Sequence, residues 1–402
     1  MESSEPQTEK EQKQEEKQEQ EKKQEPEQKQ EPEKKQEPEQ KQEQDKEKEK
    51  VQNPNPETDF FKKRKLASVQ KITSLSPLDP KNLYQKATIL GWNVIVDNNV
   101  YSVGEKVIYF EADALLPPKK KWTKGIKPKN LRIKSTKQYK EVFHGAIMKL
   151  DTLKNVENFD KKIEDLEEGF DLTEIMESTK FEEDPEEVAK ENAKKFPGEI
   201  IEKSDEIRLQ SNPKYFEIFE GKEFYSTLKY DGSSGTFLIH PETKKFMVCS
   251  RNIVIDKDEK KNIYWDTAIK YDIQKKLEKF EGKYAIQGEI YGPKINKNRL
   301  EQKEIKIAVF TIKNIKDNYY LDFKELVQVC KDMDLPMVEV VEEGIFKYKT
   351  VEEMVAKSKG FYPNTQYPRE GLVYRLKENW NKDKIRASFK VINDDYLVPA
   401  KK

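Results

Sequence analysis

Hydrophobic positions are distributed very unevenly along this chain. Residues 1–57 contain almost none and run in Glu, Gln, Lys and Pro, with Pro26, Pro32 and Pro38 recurring in a Gln-Glu-Pro repeat. A segment with nothing apolar to bury cannot offset the entropy lost on folding, so residues 1–60 are expected to be a disordered tail without a catalytic role. Between 64 and 175 the pattern changes to short strand-like runs at 67–73, 93–96, 106–110 and 144–150. Turn-forming stretches separate them: Pro77-Leu78-Asp79-Pro80, Asp97-Asn98-Asn99 and Val103-Gly104-Glu105. Short strands with frequent turns predict a small β-barrel. Residues 176–200 read as a linker with a short polar helix over 186–195. From 201 to 402, apolar runs of strand length mix with helical stripes. Ile269, Ile273, Leu277 and Phe280 lie at helical spacing within 262–280, and Phe323, Leu326, Val327 and Cys330 mark a second helix with Asp322 as its N-cap. Thr350 and Glu353 have the spacing of a capping box for a third. These stripes are expected to face the core, and the fold class they predict is α+β.

Charge sharpens the division. Residues 1–57 hold 12 Lys against 18 Glu and 1 Asp, a net −7, while the whole chain has formal charge +0, so the remainder carries +7. A mildly basic folded part is compatible with a phosphate-rich partner. One stretch concentrates that charge beside aromatics: Lys119-Lys120-Lys121-Trp122, then Lys124, Lys127, Lys129, Arg132, Lys134, Lys137, Tyr139 and Lys140. Cations neutralise phosphates and rings stack on bases, so this loop reads either as a nucleic-acid contact or as a solvated surface, and the motifs that follow favour the nucleic-acid contact. Lys62-Lys63-Arg64-Lys65 reads as a basic linker cluster, with a nuclear signal as the alternative. Cys249 and Cys330 sit in apolar runs and read as buried small hydrophobes, not a disulfide framework. With only His144 and His240, a His-rich metal centre is excluded. No apolar run approaches the length of a membrane span, and the acidic N-terminus lacks the features of a secretory or mitochondrial signal. An intracellular protein, cytoplasmic or nuclear, is expected.

The chemistry concentrates at Lys229-Tyr230-Asp231-Gly232, which follows the apolar run Phe224-Tyr225-Ser226-Thr227-Leu228. This spacing presents a lysine at a strand end before an Asp-Gly turn. An amine is protonated near neutral pH and becomes nucleophilic only where burial or a neighbouring cation lowers its pKa. Alone, the tetrapeptide fits a surface lysine in a turn equally well. Its context changes the weighting. Ser250-Arg251-Asn252, Gln287-Gly288-Glu289-Ile290-Tyr291-Gly292, Ala308-Val309-Phe310, Glu370-Gly371-Leu372-Val373-Tyr374-Arg375 and Ser388-Phe389-Lys390-Val391-Ile392 follow in that order, each beside a short apolar run.

This ordered set resembles the covalent nucleotidyltransferases, the ATP-dependent ligases and their capping-enzyme relatives. K-x-D-G is their first motif, the arginine their second, G-E their third, then the aromatic, E-G-L-V-x-R and the final lysine. The candidate barrel precedes the motifs, and the last of them lies close to Lys402. That arrangement resembles the fifth RNA ligase family, whose OB domain is N-terminal. Asp171-Leu172-Thr173, Thr179-Lys180-Phe181-Glu182, Phe196-Pro197, Asp205-Glu206, Arg208 and Gln210 add to the likeness, which covers about residues 64–398. It implies an OB-like β-barrel over 64–175, then an adenylyltransferase (ATP-grasp-like ligase) domain over 201–402.

The resemblance also implies roles. Lys229 attacks the α-phosphorus of ATP to give a lysyl-adenylate. AMP passes to a 5′-phosphate, and a 3′-hydroxyl displaces it to seal the strand. Glu289 and Glu370, joined by Asp231 through water, hold Mg²⁺ or Mn²⁺. Lys390 contacts the α-phosphate, Arg251 grips the ribose or the incoming phosphate end, and Phe310 stacks on adenine. Arg208 holds pyrophosphate or substrate phosphate, and Arg375 reads as a flank of its motif. Many ligases carry K-x-K in the last motif; here Ser388 takes the first slot, with Lys384 or Arg386 as candidate substitutes. The expected function is an ATP-dependent RNA ligase sealing nicks in duplexes as a monomer. The alternatives are a DNA ligase, a GTP-using capping enzyme, or a nucleic-acid-binding protein whose catalytic domain has decayed.

Overall fold

The computed structural model describes residues 64–125, 131–139, 141–157, 159–181, 195–257, 262–380 and 385–397, the side chains of 124 and 125 excepted. The tail over 1–60, Lys62, Lys63, Lys127, Lys129, Lys140, Glu182, Lys384 and all but the last residue of the helix expected over 186–195 lie outside them, as does the side chain of Lys124.

The barrel begins with β1 (Ala67–Lys71) and β2 (Ser74–Pro77), continues through β3 (Tyr84–Ile89), β4 (Trp92–Asp97), β5 (Lys106–Phe110), β6 (Ala114–Leu115), β7 (Thr136–Gln138), β8 (Glu141–Phe143) and β9 (Ala146–Lys149), and ends with β10 (Thr179–Lys180). Strands β1, β5 and β9 form one antiparallel sheet and β2, β3 and β4 another. Residues 67–77 therefore pass from one sheet to the other, which is how a short sheet curls toward closure. Val107 and Ile108 point to opposite faces and are fully buried in two different clusters, one with Ala87 and Val94, the other with Val69 and Phe110. The barrel domain reaches beyond 175: β10 pairs with β6, and the Phe181 N–H donates to the Asp113 carbonyl at 2.8 Å.

The second domain places α1 (Tyr215–Phe219) before β11 (Glu223–Leu228), β12 (Ser233–Ile239) and β13 (Phe246–Cys249). Then come α2 (Ile263–Lys270), α3 (Ile273–Lys279), β14 (Tyr284–Tyr291), β15 (Lys306–Asn314), β16 (Tyr319–Tyr320) and α4 (Phe323–Asp332). The chain closes with β17 (Val340–Ile345), α5 (Val351–Ser358), β18 (Gly371–Leu376), β19 (Ser388–Ile392) and α6 (Asp394–Leu397). Two antiparallel sheets result, ordered β17-β11-β18-β19 and β13-β12-β14-β15-β16. The five-stranded sheet buries Phe237, Ile286 and Ile307 beneath α2, α3 and α4. The four-stranded sheet packs Phe224, Tyr374 and Phe389 against Phe219 and Phe346. Because β11 ends at Leu228 and β12 begins at Ser233, Lys229–Gly232 is the crossing between the sheets. The Lys-Tyr-Asp-Gly turn thus stands at the floor of the groove they make.

Helix signals hold in part. Asp322 and Thr350 both cap their helices with complete capping boxes, through Glu325 and Glu353. The stripe over 262–280 is not one helix: Asp272 takes a left-handed backbone (φ 51°) and splits it into α2 and α3. Ile269 is 64% exposed and Val327 is 41% exposed, so neither faces the core as its spacing predicts. Cys249 and Cys330 are both free and buried. No helix among the described residues is long and apolar enough to cross a membrane.

Candidate active site

Lys229 leaves β11 with its backbone N–H on the Gly371 carbonyl at 3.1 Å, while its own carbonyl accepts from the Tyr362 hydroxyl at 3.0 Å. Its Nζ lies 2.7 Å from Glu370 Oε2. Antiparallel pairing of β18 with β19 sets Val373 opposite Lys390, so Glu370 and Lys390 reach the same groove from neighbouring strands. Glu289 enters from β14 of the other sheet, where it pairs with Ser234 and Ala308. Asp231 accepts from Asn296 Nδ2 at 2.8 Å and Arg299 Nη1 at 3.3 Å. Gly232 is required by close approach: a Cβ there would stand 2.3 Å from the Ile290 carbonyl oxygen. The turn can lie flat on β14 only without a side chain.

The electrostatics of this group are uneven. Burial alone would depress the Lys229 amine, but Glu370, Glu289 and Asp231 outweigh it and hold its pKa above the usual lysine value. That reverses the expectation that its surroundings lower it. Glu289 pays for its position: burial pushes its pKa up to about 7, Lys229 opposes the shift, and Glu370 and Asp231 add to it. Burial lowers Lys390 to about 7, with the nearby charge of Lys229 adding to the effect. The pattern is a carboxylate short of positive charge beside a lysine short of negative charge.

A cleft of about 560 Å³ opens over these residues. Its far wall comes from the barrel and the junction: Arg64, Asp113, Arg132, Lys180 and Phe181 all line it. The segment 205–208 lies along β19, with Lys390 N–H donating to the Ile207 carbonyl at 2.8 Å. This carries Arg208 in, 3.6 Å from Asp113, and sets Asp205 against Arg251 at 2.6 Å. Arg251 and Lys180 hold the Asp205 carboxyl well below the usual range despite burial that opposes it. Arg64 is therefore a cleft residue bound to Glu111 at 2.5 Å, not a linker cation.

A smaller cavity of about 70 Å³ adjoins Lys229, lined by Phe310, Val338, Val373, Leu228 and Tyr230 with Glu206 and Arg375 at its polar end. The half-buried Phe310 ring thus faces a space beside the nucleophile, as a base-stacking ring would. Arg375 is more than a motif flank: it is buried, donating to the Phe310 carbonyl at 2.8 Å and to Glu206 Oε1 at 2.7 Å. Glu206 also accepts from Ser388 and lies 3.5 Å from Arg386. Burial would raise the Glu206 carboxyl, but Arg386 and Arg375 bring it down to about 2. Ser388 is thus a partner of Glu206. Arg386, engaged with Thr311 and set over the Tyr320 ring, serves the same knot.

Residues 222–392 match the family model described as RNA ligase, and residues 66–150 match an OB-fold domain model. The matched stretch is similar to an RNA ligase domain. It stands behind an OB-fold domain, in the order the motifs implied. Among solved structures, Naegleria gruberi RNA ligase with pyrophosphate is 24% identical at a TM-score of 0.69, covering 83% of this chain and 98% of that one. A mutant of that RNA ligase with AMP and manganese matches with the same values. Another mutant, with ATP and manganese, is 23% identical, covering 84% and 98% at 0.69. At this identity the likeness establishes a shared fold. No curated protein matches the sequence.

The ligase domain brings Lys229, Asp231, Glu289, Glu370, Lys390, Arg208 and Arg251 to one cleft and Phe310 to the cavity beside it. Two features of the basic loop differ from expectation. Trp122 is buried and stacked on Phe110 at 6.2 Å, so it serves the barrel core and is unavailable to a base. Lys120 is paired with Glu177 at 2.6 Å. Sequence reading missed Asn296, Tyr396 and the barrel's Arg64 and Asp113 as cleft residues, and Arg299 as a partner of Asp231. No local pattern marks them, because long-range packing alone brings them there.

Proposed function

We propose that this chain is an ATP-dependent RNA ligase that joins a 3′-hydroxyl to a 5′-phosphate, at nicks in duplexes, through a lysyl-AMP on Lys229. The observation that carries this reading is the placement of Lys229 Nζ, 2.7 Å from Glu370 and between the two sheets, beside both a Phe310-lined cavity and a cleft of mixed charge. Phe310, Val338 and Val373 suit the two faces of an adenine, and Lys390 and the cleft arginines suit its phosphates. In the first step Lys229 Nζ attacks the α-phosphorus. The P–N bond forms, the bond to pyrophosphate breaks, and the amine proton leaves toward Glu370. Arg64, Arg132 and Arg208 suit the departing pyrophosphate. AMP then passes to the 5′-phosphate and is displaced by the 3′-hydroxyl.

A divalent cation fits the donor set in a limited way. Among the described residues no three acidic, His or Cys side chains converge as a cage. Mg²⁺ and Mn²⁺ do not require one: Mg²⁺ is commonly held by one or two carboxylates, water and substrate phosphates. Glu289, buried and short of positive charge, is the residue most suited to it, with Glu370 second. Asp231 already accepts from Asn296 and Arg299 and would act through water. Such a cation would lower the Lys229 pKa, which its carboxylate neighbours otherwise hold up, and neutralise charge on the α-phosphate.

The test is incubation with α-labelled ATP and Mg²⁺ followed by denaturing electrophoresis, for wild type and Lys229→Ala. Label retained by wild type and absent from the variant is the expected result. Label from GTP alone would move the chain to capping chemistry, and no label from either nucleotide would sink the enzyme reading.

A further inference from the structure

Two elements of the ligase domain rise beside the nucleophile without taking part in the nucleotide chemistry. The first is the loop between β14 and β15, residues 292–305. It carries four basic residues, Lys294, Lys297, Arg299 and Lys303, against two acidic ones, and one of these, Glu304, is paired with Lys270 at 3.0 Å. Its backbone is held in an unusual shape: Lys294, Asn296, Asn298 and Glu301 all have positive φ, and Gly292 has φ 139°. Left-handed non-glycine residues are uncommon and persist where surrounding bonds fix them. Here Asn296 donates to Asp231 and to the Gly232 carbonyl, and Arg299 to Asp231. The loop is thus built onto the nucleophile motif itself.

The second element is the hairpin before β18, where Tyr362 N–H donates to the Tyr367 carbonyl at 3.0 Å. Arg369 ties its base to three backbone carbonyls, those of Lys357, Ser358 and Lys359. Inward, Tyr362 bonds the Lys229 carbonyl and receives the Glu370 N–H. Outward, Phe361 is 63% exposed and Tyr367 45%. The two elements join beneath, where Leu300 and Tyr362 pack in one cluster with Leu228. Lys294, Lys297, Lys303 and Lys359 are exposed and form no ion pair among the described residues.

We infer that this rim is the surface on which the ligase domain seats the phosphate backbone of the nicked duplex, with Phe361 and Tyr367 against the bases flanking the nick. The inference rests on the ligase reading. Free cations beside exposed rings are the chemistry that grips a polyanion carrying flat bases. Position selects this surface: both elements bond within the Lys229–Gly232 turn, so an end receiving AMP from Lys229 must pass them. The barrel's basic loop also exposes Lys119, Lys121, Lys134, Lys137 and Tyr139, but among the described residues none of these bonds to the Lys229–Gly232 turn, so position favours the rim.

The test uses the full chain with Lys294→Glu, Lys297→Glu and Lys303→Glu combined, and separately Phe361→Ser with Tyr367→Ser. Fluorescence anisotropy without ATP reads affinity for a fluorescent RNA duplex bearing one 5′-phosphate nick, and for the same strand unpaired. Both variants should take label from ATP within about twofold of wild type. The lysine variant should bind the nicked duplex at least tenfold more weakly, with the slope of log affinity against log salt shallower by about 2–3. The aromatic variant, which keeps every charge, should lose affinity with the slope unchanged. Unaltered affinity and slope in both variants would overturn the inference, and a loss confined to the single strand would overturn the duplex assignment. Should wild type take no label, the ligase reading fails, while the binding measurements still decide whether this rim holds nucleic acid.

Discussion

Glu289 is the residue on which the site's energetics turn. Its carboxyl has a folded pKa of about 7, raised by burial above an ordinary carboxylate value near 4.5. A raised acidic pKa means the folded state keeps a proton that the unfolded chain has lost. Stability therefore falls as pH climbs from about 5 to about 7, and the penalty stays constant above that. Glu289→Gln removes the charge yet can still accept the Gly232 N–H. The variant should unfold later than wild type at pH 8 without nucleotide or metal, by about 1–3 kcal/mol in chemical denaturation, and the gap should close toward pH 5. It should also lose labelling from ATP. A variant less stable than wild type at pH 8 would show that Glu289 is a structural ion-pair partner of Lys229 and not a carboxylate awaiting a cation.

Element pairing is what turns distant motifs into a site, and β18 is the strand that does most of it. Gly371 begins this strand with φ 150°, and a Cβ there would stand 2.1 Å from the Val391 carbonyl of β19. Gly371→Ala should therefore cost more than about 2 kcal/mol in urea unfolding. It should weaken labelling as well, since Glu370 and Lys390 depend on that pairing. Gly198→Ala, with nothing within 4 Å and no positive φ, serves as the control and should be near neutral. Unchanged stability in Gly371→Ala would mean that β19 can shift away freely. The motif strands were legible because their runs are apolar and bounded: 106–110 was read with its exact limits, and the nucleophile strand ends at the expected residue. The β3–β4 hairpin was not, since its turn is Leu90-Gly91 with φ 53° and 75°, and leucine gives no turn signal. The break at Asp272 was missed because the apolar spacing of Ile269, Ile273, Leu277 and Phe280 runs on across it. The Glu206 knot with Arg375, Arg386 and Ser388 lies beyond any local pattern, because its partners are separated by as many as 182 positions.

At the scale of the molecule, the cleft exists only because two domains belonging to one compact unit face each other. Asp113 of the barrel holds their seam. It pairs with Arg132 of its own domain at 3.0 Å and stands 3.6 Å from Arg208 of the ligase domain, with Arg64 close by. Burial would raise its pKa, but these guanidiniums outweigh burial and lower it. Without Asp113, Arg132 and Arg208 would lose the carboxylate they share across the seam, while Arg64 keeps its bond to Glu111. Removing one partner of a buried charge cluster is destabilising mainly through the charges left behind. Asp113→Ala should therefore lower the melting temperature of the ligand-free protein by several degrees, corresponding to about 1–3 kcal/mol. A polyanion that occupies the cleft supplies the missing negative charge, so inorganic tripolyphosphate should raise the variant's melting temperature more than wild type's. Equal shifts in both proteins would place the anion elsewhere, and an undiminished melting temperature without anion would remove Asp113 from the seam. The expected result ties the domain seam to nucleotide binding through one carboxylate, because the cations that Asp113 pairs with in the cleft are those the triphosphate would engage.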